Sequence, residues 1–168
     1  MKAIIFTSNT GSTAEYAQLL GKELNLPVHS LQQAKNKVPA GSEIIYLGWI
    51  MAGGIKGYKE AAKLYKVRAV CGVGMGQTGT QLKEVRDKNA IPQRIPLFTL
   101  QGNFDVKKLH GVYRFMMNVM VKTAGKGLAN KTDRTPEEDD MLDMMVNGGK
   151  RVSLQNLKAV TEWYKSIN

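Results

Sequence analysis

The sequence predicts an α/β fold: a five-stranded parallel sheet covered by helices on both faces, in a single domain spanning residues 1–168. Three observations lead there. Short apolar runs rich in β-branched residues alternate along the chain with segments of helical periodicity. The clearest runs, Lys2–Phe6 and Glu43–Gly48, are almost continuously apolar after their first residue, as strands buried on both faces are. Loops rich in glycine or hydroxyl side chains follow the carboxyl ends of the strands, where open parallel sheets bind ligands. Right-handed crossovers leave few topologies, and strand order 2-1-3-4-5 in a three-layer sandwich is the expected one.

Taken in order, Lys2–Phe6 is a strand that runs into a loop and then a helix over Ser12–Leu24, with Ala14, Ala17, Leu19, Leu20 and Leu24 among its apolar positions. A short extended piece, Val28–Ser30, follows Pro27, and Pro39–Gly41 makes a turn. Glu43–Gly48 is a buried strand entering the glycine-rich stretch Gly48–Gly54. Lys59–Tyr65 reads as a short helix, Arg68–Val73 as a strand, Gln81–Asn89 as a helix and Ile95–Leu100 as the last strand. A helix over about Leu154–Ser166 closes the fold.

Residues 103–150 form an insertion where a short connection is the norm. At 100° per residue, Leu109, Val112, Tyr113, Met116, Met117, Val119 and Met120 form one face, and Lys107, Arg114, Asn118 and Lys122 the other. This is a basic, methionine-rich amphipathic helix. A second helix starts at Thr135-Pro136-Glu137-Glu138, which supplies an N-cap, a proline at the first helical position and the glutamate of a capping box. Gly148-Gly149 ends it.

The net charge is +10, and it is concentrated. Residues 106–134 hold seven Lys/Arg and one Asp, whereas residues 135–168 hold four basic and six acidic side chains. A basic segment calls for a polyanionic neighbour, but the aromatic interleaving and base-reading motifs of nucleic-acid modules are missing, so no nucleic acid is expected. The single cysteine, Cys71, lies in an apolar run and reads as a core thiol. No apolar run reaches transmembrane length and the chain enters a strand at once, so a cytoplasmic protein is expected.

The loop Ser8-Asn9-Thr10-Gly11-Ser12-Thr13 carries the most chemistry. Unpaired N–H groups, the positive end of a helix dipole and several hydroxyls together hold a phosphate. The competing reading is a plain strand-to-helix turn capped by Ser12 or Thr13. No lysine follows the glycine, so this is not the lysine-bearing triphosphate loop. No second and third glycine follow, so it is not the dinucleotide fingerprint. The motif resembles the FMN-phosphate loop of flavodoxins, Ser/Thr-x-Thr-Gly-x-Thr directly after the first strand. The segments Gln101–Leu109 and Tyr113–Lys122, the acidic helix and the Gly-Gly-Lys turn resemble a flavodoxin-domain family that includes the menaquinone-dependent protoporphyrinogen dehydrogenases. That resemblance implies a flavodoxin-like fold, FMN as cofactor, and electron transfer between a substrate and a quinone or protein acceptor.

Further loops offer walls for the flavin ring. Trp49, Ile50, Met51, Ala52, Gly53 and Gly54 form the second, where Trp49 either stacks on the ring or caps the core. Gly74, Met75, Gly76, Gln77 and Thr78 form the third; the resemblance implies Tyr or Trp near this site, where this chain has Met75. Formally the third loop also matches G-x-G-x-x-G through Gly79, but no acidic residue ends the following strand, as a dinucleotide site requires. Gly102 and Asn103 belong to a fourth wall that extends to Asp105.

The basic balance favours the anionic reduced flavin, which fits a dehydrogenase or quinone-linked flavoprotein better than a low-potential carrier. The alternative is a non-enzymatic FMN electron carrier that docks on redox partner proteins. The basic helix, about 106–122, either packs its apolar face on the sheet or the acidic helix, or lies on a membrane surface with Lys107, Lys108, Arg114, Lys122 and Lys126 against anionic lipid. His29 and His110 are far apart in sequence and no metal-ligand spacing appears, so no metal site is expected.

Overall fold

A computed structural model describes residues 1–103 and 111–167 of the chain. Ala3–Thr7 (β1) pairs in parallel with Val28–Ser30 (β2) on one side and with Glu43–Met51 (β3) on the other. Beyond β3, Gly54–Ile55 (β4) folds back antiparallel on its end. The sheet continues through Lys66–Gly74 (β5) to Leu97–Gln101 (β6), in the order β2-β1-β3-β5-β6. The five parallel strands therefore stand in the expected flavodoxin-like order. The two-residue β4 is an addition that the sequence did not announce.

The described helices are Ser12–Leu24 (α1), Leu31–Lys37 (α2), Tyr58–Leu64 (α3), Leu82–Asn89 (α4), Gly111–Ala129 (α5), Pro136–Asn147 (α6) and Lys158–Ser166 (α7). Alternation along each strand divides the core into two layers. Ile4, Ile45, Leu47, Cys71 and Leu100 pack with Tyr16 and Leu20 of α1 and Val160 of α7. Ala3, Ile5, Ile44, Tyr46 and Val70 pack on the other face with Leu31 of α2, Tyr58 of α3 and Val85 of α4. Each fully buried aliphatic side chain contributes about 1.5–3 kcal/mol.

Several boundaries differ from the sequence reading, each for a local reason. Helix α2 was not expected, yet Ser30 and Gln33 form a capping box at its start, with bonds of 3.2 and 3.1 Å. The stretch read as a loop from Gly48 is strand as far as Met51, and Ala52 and Gly53 form a two-residue hairpin with φ of 47° and 75°. Positive φ at both central residues is the hairpin-compatible turn. The expected helix at 154 begins as a 3-10 turn, Gln155–Leu157, before α7.

Within the insertion, α5 and α6 pack on each other. Thr135 and Glu138 make the expected capping box, with Pro136 in the first turn. Arg134 closes the preceding helix: its Nη1 donates to the carbonyls of Leu128 (3.0 Å), Ala129 (3.3 Å) and Lys131 (2.7 Å), placing a cation at the negative end of α5. Val119, on the apolar face read from the sequence, is 45% exposed, and Phe115 is 68% exposed. Both lie beside exposed Lys122 and Lys126. Leu109, Lys107 and Lys108 lie outside the described residues. Among the described residues no helix is long and apolar enough to cross a membrane.

Candidate functional site at the carboxyl ends of the strands

The loop Ser8–Gly11 leaves β1 and enters α1 at Gly11, which has φ 105° and makes no side-chain cap. Neither Ser12 nor Thr13 is the N-cap; both lie inside the first turn and are buried. The first helical bond runs from the Glu15 N–H to the Gly11 carbonyl at 2.9 Å, so the N–H groups of Ser12, Thr13 and Ala14 have no acceptor within the helix. A Cβ built on Gly11 would meet nothing within 4 Å, so the space before the helix is open. Ser8 Oγ is buried and has no hydrogen-bond partner among the described residues. A buried hydroxyl without a partner costs about 1–3 kcal/mol, and a bound acceptor removes that cost. The donor set, the open cradle and the orphaned hydroxyl fit a phosphate group such as that of FMN.

The fourth wall is tied to the first loop. Ser12 Oγ accepts from the Asn103 N–H at 3.0 Å, and a Cβ on Gly102 would lie 3.2 Å from Ser12 Cβ. Asn103 then holds the insertion at both ends. Its Oδ1 accepts from the N–H groups of Arg151 (2.6 Å) and Val152 (3.0 Å), while its Nδ2 donates to Glu15 at 3.1 Å. Nearby, the Tyr16 hydroxyl donates to the Gln101 carbonyl at 2.5 Å and accepts from Asn156 Nδ2 at 2.7 Å. Burial raises the Tyr16 phenol above its usual range, against a smaller lowering from the Asn156 bond. Ser12 and Asn103 thus bond each other. The Phe104–Asp105 end of this wall lies outside the described residues.

Thr7 pairs with Gly48, so the second loop starts beside the first. Trp49 is half-buried, with the Lys56 ammonium 5.7 Å from its ring centroid. The rest of that loop turns to the α4 face. Ile50 lies across Gly72 and Gly74 and joins the core with Val85. The buried Asn89 side chain donates to the Gly53 carbonyl (2.9 Å) and accepts from the Ile55 N–H (2.8 Å), pinning Ala52, Gly53 and Gly54 to the end of α4. Ile50 and the hairpin tip are therefore fixed on the α4 side of the sheet, Ile50 by core packing and the tip by the Asn89 bonds.

The third loop covers the outer edge of β6. The Gly79 N–H donates to the Thr99 carbonyl (3.0 Å), Thr99 Oγ1 donates to the Thr80 carbonyl (2.7 Å), and Thr78 Oγ1 accepts from the Gln101 N–H (3.0 Å). Thr78 thus satisfies an edge strand. Met75, Gly76 and Gln77, with Thr80 and Gln81, line a half-open cleft of about 220 Å³ that Asp140 and Met141 of α6 also border. Asp140 accepts from Gln101 Nε2 at 2.5 Å and pairs with Arg151 Nη2 at 3.2 Å, which also reaches Asp143 at 3.2 Å. The acidic helix, read from sequence as a capped helix and a candidate packing partner of the basic one, also supplies a wall of this cleft. The sequence reading also missed Lys56, which only the β4 hairpin places against Trp49.

Comparison of the chain with protein-family models, with curated proteins and with solved structures finds no match in any of the three.

Proposed function

We propose that the protein is an FMN-binding oxidoreductase that moves electrons between a small substrate and a quinone or protein acceptor. The observation that carries this reading is the buried, unpartnered Ser8 hydroxyl in the loop that leads to the open start of α1 at Gly11. The side chains of Ser8, Asn9 and Thr10 and the N–H groups of the first turn would hold the phosphate. FMN, when bound, supplies the redox chemistry, so the protein has to bind, orient and shield. Trp49 and the third loop would flank the ring.

The cleft between Met75–Gln81 and α6 favours the enzyme over the carrier. A carrier needs an open ring edge for partner docking, whereas α6 stands across the third loop here. Two thioethers, two carboxamides, a hydroxyl and a carboxylate suit a small, mostly apolar substrate with a few hydrogen-bonding groups. The exposed Phe115 and Val119 beside Lys122 and Lys126 support peripheral contact with an anionic membrane surface, where a quinone acceptor would be at hand.

The test is titration of the purified chain with FMN, followed by flavin fluorescence, then anaerobic reduction in the presence of quinones. Thr10→Val and Gly11→Asp should each weaken FMN binding about tenfold or more, the second by placing a carboxylate against the phosphate. Wild-type protein that leaves flavin fluorescence unchanged would overturn the proposal. FMN-loaded protein with two well-separated one-electron potentials and no turnover with a quinone would favour the carrier.

A further inference from the structure

The phosphate loop has no basic side chain of its own, and the structure brings one to its neighbour. Lys56 follows β4, and its N–H donates to the Trp49 carbonyl at 3.0 Å, extending the hairpin pairing by one residue. Cross-strand partners project from one face of a sheet, and the Lys56 ammonium accordingly lies 5.7 Å from the Trp49 ring centroid. The main chain of Lys56 is fixed against the end of β1. The Tyr46 hydroxyl donates to the Lys56 carbonyl at 2.7 Å and bonds Thr7 Oγ1 at 2.8 Å, and a Cβ on Gly57 would lie 2.5 Å from Thr7 Oγ1. Thr7 immediately precedes Ser8. Lys56 is therefore anchored beside the first loop while its charge rests on the aromatic ring of the second.

Arg151 pairs with Asp140 and Asp143, and Lys88 lies against Gly53 on the α4 side. Aliphatic stems of lysine pack on apolar rings while the charged head stays available.

We propose that Lys56 is a positioning residue of the flavin site, whose ammonium favours reduced FMN over oxidised FMN. This rests on the FMN reading above. The oxidised ring is neutral; adding two electrons and one proton leaves it with one negative charge. A cation beside the ring therefore acts on the reduced form and hardly on the oxidised one. A cation on the phosphate would act on both forms alike, because the phosphate charge does not change.

The experiment measures dissociation constants of oxidised FMN, and of FMN reduced anaerobically with dithionite, by ultrafiltration of free from bound flavin. Wild type is compared with Lys56→Met, Lys56→Gln and Lys56→Arg. Both neutral variants keep the two main-chain bonds, so each can stand in if the other does not fold. The expected result is oxidised-FMN affinity within about twofold of wild type, reduced-FMN affinity about tenfold weaker in the neutral variants, and recovery in Lys56→Arg. Tenfold corresponds to ~30 mV in the two-electron potential. Equal weakening of both forms would overturn the proposal in favour of a phosphate contact, and no change in either would overturn it outright. Wild-type protein that binds neither form would instead overturn the FMN reading itself.

Discussion

Replacing Ser8 by alanine should make the FMN-free protein more stable and the FMN complex weaker. Ser8 Oγ is buried with no hydrogen-bond partner among the described residues, and such a group carries a penalty of about 1–3 kcal/mol. Alanine removes the oxygen and leaves a small void, so a net gain of ~1 kcal/mol is expected, or a rise in Tm of about 2–4 °C for a chain of this size. With FMN bound, the same hydroxyl would donate to a charged phosphate, a bond worth about 1.5–3 kcal/mol. Its loss should raise the FMN Kd about 10–150-fold. Thermal denaturation of both proteins, with and without saturating FMN, reads the two effects together, because a ligand stabilises by its concentration relative to Kd. The stability order should invert when FMN is added. A lower Tm for Ser8→Ala without FMN would show that the hydroxyl has a partner in the folded chain. An unchanged Kd would show that it does not meet the ligand. Either result refutes the reasoning.

Asn103→Ala should loosen the base of the insertion, because one side chain accepts the N–H groups of Arg151 and Val152 and donates to Glu15. A loss of about 2–4 kcal/mol is expected; faster amide exchange at 151–152 by mass spectrometry checks it, and protection equal to wild type would contradict it. Alkaline pH should expose the buried thiol. Burial pushes Cys71 up to about 12, so the folded chain keeps a proton that the unfolded chain loses near ~8.5. The Cys71 contribution is therefore complete below about pH 8.5 and declines by ~1.4 kcal/mol per pH unit as pH rises toward 12. Denaturant unfolding of wild type and Cys71→Ala from pH 8 to 11 should show the wild type losing stability faster; parallel curves would mean the thiol is not buried.

The parallel sheet was legible because its strands are apolar on both faces, and a run such as Glu43–Gly48 has no other stable use. Helix α2 was equally legible in principle, since Ser30 and Gln33 stand at capping-box spacing, but seven residues give little periodicity to notice. The β4 hairpin was not legible. Its turn is Ala52-Gly53 with the alanine at φ 47°, whereas the sequence signal for such a turn is Asn or Asp before Gly. What holds it is Asn89, more than thirty residues away, bonding across to Gly53 and Ile55. The same long-range dependence hid Lys56 and Asp140. Ser8–Thr13 could be singled out because strand, loop and helix start are consecutive in sequence, whereas the roles of Ser12 and Asn103 depend on a contact across ninety-one positions.

The insertion bears on function through where it is fastened. Its two ends meet at Asn103, at the carboxyl end of β6, and its acidic helix reaches back to Gln101 of the same strand. Both attachments thus lie at the end of the sheet that carries the loops, rather than along an outer helix where an added hairpin would leave the site unchanged. The pairs Gln101–Asp140 and Arg151–Asp140 are partly exposed, so they set position more than stability. Met144 supplies the apolar anchor, fully buried and 3.3 Å from Gln101 Nε2 through its sulfur. An anchored helix that borders the cleft narrows what can reach the third loop. Under the proposed FMN reading, that restriction would suit a small substrate better than a docked protein, and electrons would enter through this cleft.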